Sequence, residues 1–133
     1  GYTIAELCRL CSEAATKNGW YDQIDNVVGF LEREMGGKDA AFVKRLFDGN
    51  RHMLITSEVA ESFEGLRKDK MDDHLPHLPA VAVEMADTLI RIFDYCGKNG
   101  IPLERAVMEK MEYNAQRADH KPENRAKEGG KKF

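Results

Sequence analysis

The chain has 133 residues, which is enough for one domain with a single core and too few for two ordinary domains. Apolar residues make up 42% of the sequence, and this share excludes wholesale disorder. The net charge of −3 argues against a nucleic-acid binder, because such a protein carries an overall basic charge. The longest nearly uncharged apolar stretch, residues 75–82, is far too short to span a membrane. With no secretory leader at the start, we expect a cytoplasmic protein.

Apolar residues recur at helical spacing along most of the chain, and no run alternates with the period of a strand. This pattern predicts an all-α protein. Turn residues separate six predicted helices, at 4–17, 23–35, 39–47, 51–68, 80–96 and 101–118. Thr3 and Glu6 have the spacing of a capping box at the first helix, and residues 48–50 predict a turn before the fourth. We assign residues 1–118 to a single helical domain and residues 119–133 to a basic, mobile C-terminal tail.

The three cysteines, Cys8, Cys11 and Cys96, lie in predicted helices. An odd, low count is typical of reduced thiols. Cys8 and Cys11 have the spacing of half a zinc site, but no second Cys or His pair stands at the matching spacing. Both thiols share one face of the first helix with Ile4 and Leu7, so the sequence favours core packing over metal binding.

Two predicted helices each carry a pair of acidic residues three positions apart, Glu58 with Glu61 and Glu84 with Asp87. This spacing puts both carboxylates of a pair on one side of the helix, beside its apolar stripe. If the two helices pack antiparallel, four carboxylates meet and repel one another. A divalent cation removes that conflict, and a ligand set of carboxylate oxygens selects Mg²⁺, with Mn²⁺ as a substitute. The alternative is a pair of ordinary surface acids, with Arg91 pairing Asp87 one turn away.

The last predicted helix carries a polar face. Lys110, Asn114 and Arg117 are spaced four and three residues apart, and Asn114 falls within the arc of apolar residues. Polar groups on such a face need partners when they are buried. A phosphate chain would suit Lys110 as a point charge and Arg117 as a bidentate fork. Direct pairing of these cations with Glu58 and Glu84 is the open alternative.

The ordered set of these motifs resembles the MazG-like, all-α nucleoside triphosphate pyrophosphohydrolases. The matching segments are SEVAES at 57–62, EMADTLIRIFD at 84–94, GIPLE at 100–104, EKMEYNAQR at 109–117 and the terminal GGKKF. The similarity extends from about residue 51 to the C-terminus, and the segment KNGW at 17–20 also matches. Residues 21–50 are longer than the corresponding connection in compact members of that family, and we treat them as a helical insertion.

The resemblance implies a homodimeric or homotetrameric helical bundle built around two acidic, metal-binding helices. It implies hydrolysis of a (d)NTP between its α and β phosphates to a (d)NMP and pyrophosphate. The implied ligands of Mg²⁺ are Glu58, Glu61, Glu84 and Asp87. The implied triphosphate-binding residues are Lys110, Asn114 and Arg117. We assign to Glu61 the role of general base, because a carboxylate not fully occupied by the metal could accept the proton of the attacking water.

Trp20, in the connection after the first helix, is a candidate to stack on the nucleotide base, with a buried anchoring role as the favoured alternative. The competing interpretation of the whole chain is a non-catalytic helical module that dimerises through its apolar faces and needs no divalent metal. A third interpretation is that the tail binds nucleic acid or an acidic partner. It rests on an excess of five basic over three acidic residues, which is more often a solvated surface.

Overall fold

The computed structural model describes residues 1–133 and shows an all-α chain, as the sequence predicts. The elements are α1 Ile4–Lys17, α2 Asp22–Glu34, α3 Gly37–Lys68, α4 Ala80–Lys98, α5 Leu103–Ala115, a 3₁₀ turn Ala118–His120 and α6 Pro122–Arg125. A single isolated β-bridge joins Met71 to Pro79 in the loop before α4. None of the helices combines the length and the apolar character needed to span a membrane.

The first helix begins with the predicted capping box. The Thr3 hydroxyl accepts a hydrogen bond from the Glu6 N–H, and the Glu6 carboxylate accepts one from the Thr3 N–H at 2.9 Å. Helix α1 then packs against α4, at a point where the two backbones nearly touch. A Cβ atom at Gly97 would lie 2.2 Å from the Cys8 carbonyl oxygen, so only glycine allows this approach.

Residues 37–68 form one continuous helix of 32 residues, so the turn predicted at 48–50 is wrong. Helices α2 and α4 both pack against α3. The side of α3 that faces inward is continuous across the predicted turn. Its residues recur every three or four positions and are buried or half-buried: Ala40, Val43, Phe47, Arg51, Leu54, Glu58, Ser62 and Gly65. The packing of this inward side outweighs the local preference of residues 48–50 for a turn. A break in the helix there would take half of the inward residues out of contact with α2 and α4. The predicted insertion at 21–50 therefore forms α2 and the first part of α3.

Helices α3 and α4 pack antiparallel, as the sequence analysis supposed. The pairs in contact are His52 with Tyr95, Glu58 with Arg91 and Ser62 with Val81. Gly65 lets the end of α3 approach the start of α4, because a Cβ atom there would lie 2.9 Å from the Ala80 Cβ. This close approach holds the acidic pairs of the two helices opposite each other.

Tyr21 anchors the connection between α1 and α2. Its side chain is buried, and its hydroxyl donates a 2.5 Å hydrogen bond to the Asp94 carboxylate on α4. The guanidinium of Arg51 lies 5.0 Å from the centre of the Tyr21 ring. Desolvation and the hydrogen bond to Asp94 raise the pKa of Tyr21 well above its ordinary value, so the phenol is a permanent donor.

The C-terminal residues, predicted as a mobile tail, contain a local fold. The 3₁₀ turn leads into α6, and the chain then turns back at Gly129, whose φ is +77°. A Cβ atom at Gly130 would lie 2.5 Å from the Asn124 carbonyl oxygen, so the backbone after this turn packs directly on α6. The Lys132 ammonium donates to the Arg125 carbonyl at 3.2 Å and closes this loop.

Candidate metal centre

Three carboxylates converge between α3 and α4. Glu58, Glu84 and Asp87 each offer one oxygen, and the three oxygens lie within 4.8 Å of one another. All three side chains are half-buried. Oxygen donors at this spacing suit a hard divalent cation such as Mg²⁺ or Mn²⁺. The structure thus brings together three of the four predicted ligands.

Glu84 has the least compensated carboxylate in this cluster. Its Oε2 atom is buried and has no hydrogen-bond partner, which is rare for a buried polar atom in a native protein. Desolvation, together with the carboxyls of Glu58 and Glu61, raises the pKa of Glu84 to about 7. Desolvation likewise raises the pKa of Asp87, and the charge of Glu58 adds to that shift. An orphaned acceptor among mutually repelling carboxylates fits a bound cation.

Arg91 is the one cation that forms an ion pair with the cluster. Its Nε donates a 2.8 Å hydrogen bond to Glu58 Oε1 across the helix interface. The alternative prediction, an ion pair between Arg91 and Asp87 along α4, is therefore wrong. The charge of Arg91 nevertheless opposes the rise in the pKa of Asp87. One guanidinium leaves most of the acidic charge uncompensated.

Glu61 lies at the edge of this cluster rather than within it. Its side chain is exposed, and it lines a cavity of about 260 Å³ together with Glu84. The cavity is also lined by Lys68, Lys70 and Asp72, from the end of α3 and the loop before α4. These three residues were not predicted from the sequence, although a polar loop between two acidic helices was a signal. Pockets that enclose a drug-sized ligand usually measure about 300–1,000 Å³, so this cavity suits a phosphate group better than a whole nucleotide.

The loop before α4 is held in place by Asp72. Its carboxylate accepts hydrogen bonds from the backbone N–H groups of His74, at 2.9 Å, and Leu75, at 2.7 Å. Asp72 is also close enough to Asp87 to contribute to the raised pKa of that residue. The loop therefore adds a further negative charge to the surroundings of the three carboxylates.

The predicted cationic face is separate from the carboxylates. Helix α5 packs chiefly against α1 and ends at Ala115, so Arg117 lies beyond it on extended backbone. No ion pair joins Lys110 or Arg117 to Glu58 or Glu84, and the alternative of direct pairing is wrong. The Lys110 ammonium instead lies 4.6 Å from the centre of the Tyr113 ring. The Oδ1 atom of Asn114 is buried without a hydrogen-bond partner.

Arg117 binds a carboxylate of its own chain. Its Nε and Nη2 atoms donate to the two oxygens of Asp119 at 3.0 and 2.7 Å, and the Lys131 ammonium lies 2.9 Å from the same carboxylate. Hydrogen bonds from Arg117 and Lys131 hold the pKa of Asp119 well below its usual range. A guanidinium fork with a neighbouring ammonium is the arrangement that proteins use for phosphate, and here Asp119 occupies it.

Trp20 lies on the surface. Its side chain is 67% exposed, so the favoured expectation of a buried anchor is wrong, and the neighbouring Tyr21 has that role. An exposed indole remains free to stack on a ligand. The contacts of Tyr21 with Arg51 and Asp94 place this segment seven residues along α3 from Glu58, which is about 10 Å along the helix axis.

A second cavity lies elsewhere and contains none of the predicted site residues. It measures about 500 Å³ and is lined by α1, the end of α4 and the start of α5, including Cys8, Cys96 and Glu104. Cys8 and Cys96 are buried, which confirms the expected packing role, whereas Cys11 is only half-buried. Burial raises the pKa of all three thiols, so they are poor nucleophiles at neutral pH.

Comparisons with known proteins found no relative of this chain. No protein-family model, no curated protein and no solved structure matches the chain. The fold and the site define an all-α protein with an acidic cluster between two antiparallel helices. The resemblance to the MazG-like pyrophosphohydrolases rests on the sequence segments quoted above.

Proposed function

We propose that the chain is a Mg²⁺-dependent nucleoside triphosphate pyrophosphohydrolase, which converts a (d)NTP and water into a (d)NMP and pyrophosphate. The observation that supports this proposal is the convergence of Glu58, Glu84 and Asp87 around the unpartnered Glu84 Oε2. A cluster of this kind has little use in a purely structural protein, because it costs stability unless a cation neutralises it.

The residues around the cluster suit the proposed chemistry. When bound, Mg²⁺ would neutralise phosphate charge and lower the pKa of a coordinated water. Glu58, Glu84 and Asp87 would hold it, and Mn²⁺ could replace it. Glu61, exposed beside Glu84, is the free carboxylate that could accept the proton of the attacking water. Lys68 would supply positive charge at the rim of the adjoining cavity.

The remaining parts of a nucleotide would use residues outside this cavity. Lys110, Asn114 and Arg117 would bind the triphosphate, and a phosphate group would replace Asp119 on the Arg117 fork. The exposed Trp20 would stack on the base. We also propose that the protein works as a homodimer or homotetramer, since many large apolar side chains are exposed on the single chain.

A substrate panel tests this proposal. The four common NTPs and their deoxy counterparts are incubated with Mg²⁺, and pyrophosphate release is measured with and without a chelator. We expect release that requires the metal, and we expect Glu84→Gln to abolish it. Glu109→Gln is the matched control, because Glu109 is exposed and pairs only with Arg105 on α5. Absence of release from every triphosphate would favour the alternative, a non-catalytic helical interaction module.

A further inference from the structure

The single chain exposes far more surface than a folded monomer of its size. Its accessible surface is 9996 Å², and only 8 of its 133 residues are buried. A monomer of 15.1 kDa is expected to expose about 7,100 Å², so the surplus is about 2,900 Å². Each partner in a standard protein interface contributes about 800 Å², and the surplus exceeds this several-fold. A large part of this surface is therefore available to a partner.

The outward side of α3 carries a regular stripe of uncharged residues. We call it the α3 stripe; its members are Phe42, Leu46, Gly49, Met53, Thr56, Ala60 and Phe63. All seven are exposed, and the four large side chains are 59% to 62% exposed. The spacing alternates four and three residues, which is the a/d pattern of a helix–helix seam. At 100° per residue the stripe lies about 180° from the inward side of α3, so α2 and α4 leave it uncovered.

The stripe is nearly symmetric about Met53. The residues before Met53 are Phe42, Leu46 and Gly49, and those after it are Thr56, Ala60 and Phe63. A phenylalanine therefore stands at each end of the stripe, and small residues flank its centre. If two copies of α3 pair antiparallel about a two-fold axis at Met53, Phe42 of each copy lies opposite the partner's Phe63. Leu46 lies opposite the partner's Ala60, which places a large side chain over a small one. An interface between identical chains requires this self-complementarity.

We propose that α3 pairs antiparallel with α3 of a second copy of this chain, around a two-fold axis near Met53. Gly49, Thr56 and Ala60 let the two backbones approach, and the Phe residues close the two ends of a seam about 32 Å long. The partner is a second copy rather than a different protein because the stripe complements itself and carries no charge that would select another surface. This inference deepens the proposed homo-oligomer and does not depend on hydrolase activity.

Sedimentation of two charge variants tests the proposal. Gly49→Glu puts a carboxylate into the seam, and a Cβ atom at Gly49 meets nothing within 4 Å in its own chain, so the fold is kept. Asn50→Glu is the matched control, because it adds the same charge one residue away and off the stripe. We expect the wild type and Asn50→Glu to sediment at twice 15.1 kDa or a higher multiple, and Gly49→Glu at half the wild-type mass. A monomeric wild type, an undissociated Gly49→Glu or a dissociated Asn50→Glu each overturns the proposal.

Disulfide cross-linking locates the axis. Met53→Cys would place two thiols next to each other across the two-fold axis, whereas Asn50→Cys would place them on the flanks of the pair. After mild oxidation we expect a covalent dimer of Met53→Cys only, with the wild type as the control for the native cysteines. If Met53→Cys stays monomeric on a non-reducing gel, or Asn50→Cys cross-links equally well, α3 does not pair in this way. Neither measurement involves hydrolysis, so failure here is distinct from failure of the proposed activity.

Discussion

Replacing Glu84 by glutamine is expected to stabilise the metal-free protein at neutral pH and to change its stability little under acidic conditions. The pKa of Glu84 is about 7 in the folded protein, against an ordinary value of 4.5. Between these two values the folded state binds more protons than the unfolded state, so the free energy of unfolding of the wild type falls as the pH rises. Glutamine has the same shape as glutamate and does not titrate, so the free energy of unfolding of the variant does not fall in this way as the pH rises.

The size of the effect follows from the displacement of the pKa. A change from 4.5 to about 7 corresponds to about 3 kcal/mol if the carboxyl is fully shielded. Glu84 is only half-buried and faces the exposed Glu61, so solvent screening reduces the expected gain to about 1 kcal/mol. For a chain of 133 residues, this gain raises Tm by about 3–5 °C.

Thermal unfolding followed by circular dichroism, in the presence of a chelator, measures this gain. The wild type and Glu84→Gln are compared from about pH 4 to pH 8 at one protein concentration, because assembly also changes Tm. Glu109→Gln is again the control and should follow the wild type at every pH. A Glu84→Gln protein that is less stable than the wild type at about pH 8, or a gain independent of pH, would refute the reasoning. Added Mg²⁺ should then raise the Tm of the wild type and leave that of Glu84→Gln unchanged.

The other predictions concern activity. Asp87→Asn and Glu61→Gln should abolish Mg²⁺-dependent pyrophosphate release while the circular dichroism spectrum stays that of the wild type. Arg117→Ala should lower kcat/KM by roughly ten- to a hundredfold for every triphosphate, because a phosphate contact carries no base information. Trp20→Ala should lower it by an amount that depends on the base, and equal losses for all bases would exclude stacking. Asp119→Asn should lower KM, because Arg117 is freed for substrate; an unchanged KM would show that this ion pair does not compete.

Much of the fold could be predicted from the sequence because each helix has its own apolar period and end signals. The bounds of α1 are as predicted, α2 is displaced by one residue at each end, and α4 begins at the predicted residue and ends two residues later. The error at residues 48–50 arose because Asp, Gly and Asn favour turns locally, whereas the half-buried side chains of Phe47 and Arg51 on either side of them continue the inward side of α3. Tertiary packing decided between the two, and it cannot be read from a short window.

The acidic cluster was predictable because each of the two helices carries two acidic residues three positions apart beside its apolar stripe, so that antiparallel packing of α3 on α4 brings the two pairs together. What the sequence could not supply was the position of α5. A helix is placed by its apolar side, and much of that side of α5 has no cover in this chain, where Met108 and Met111 are about 60% exposed. The pairing of Arg117 with Asp119 also depends on the fold of the last residues, which sequence periodicity does not describe.

The separation of the carboxylates from α5 leads to the last prediction. If catalysis needs both groups, we expect α5 of a second copy to complete the site, because α5 of one chain does not reach its own acidic cluster. Asp87→Asn and Arg117→Ala chains would then complement each other, because one of the two sites in a mixed dimer takes intact carboxylates from one chain and an intact Arg117 from the other. Mixed dimers, obtained by co-expression with two affinity tags, should recover about half of the wild-type activity, since one of two equivalent sites is restored. Activity no higher than that of the two parent variants would mean that each chain uses its own α5, which would then have to move toward α3 and α4 when substrate binds.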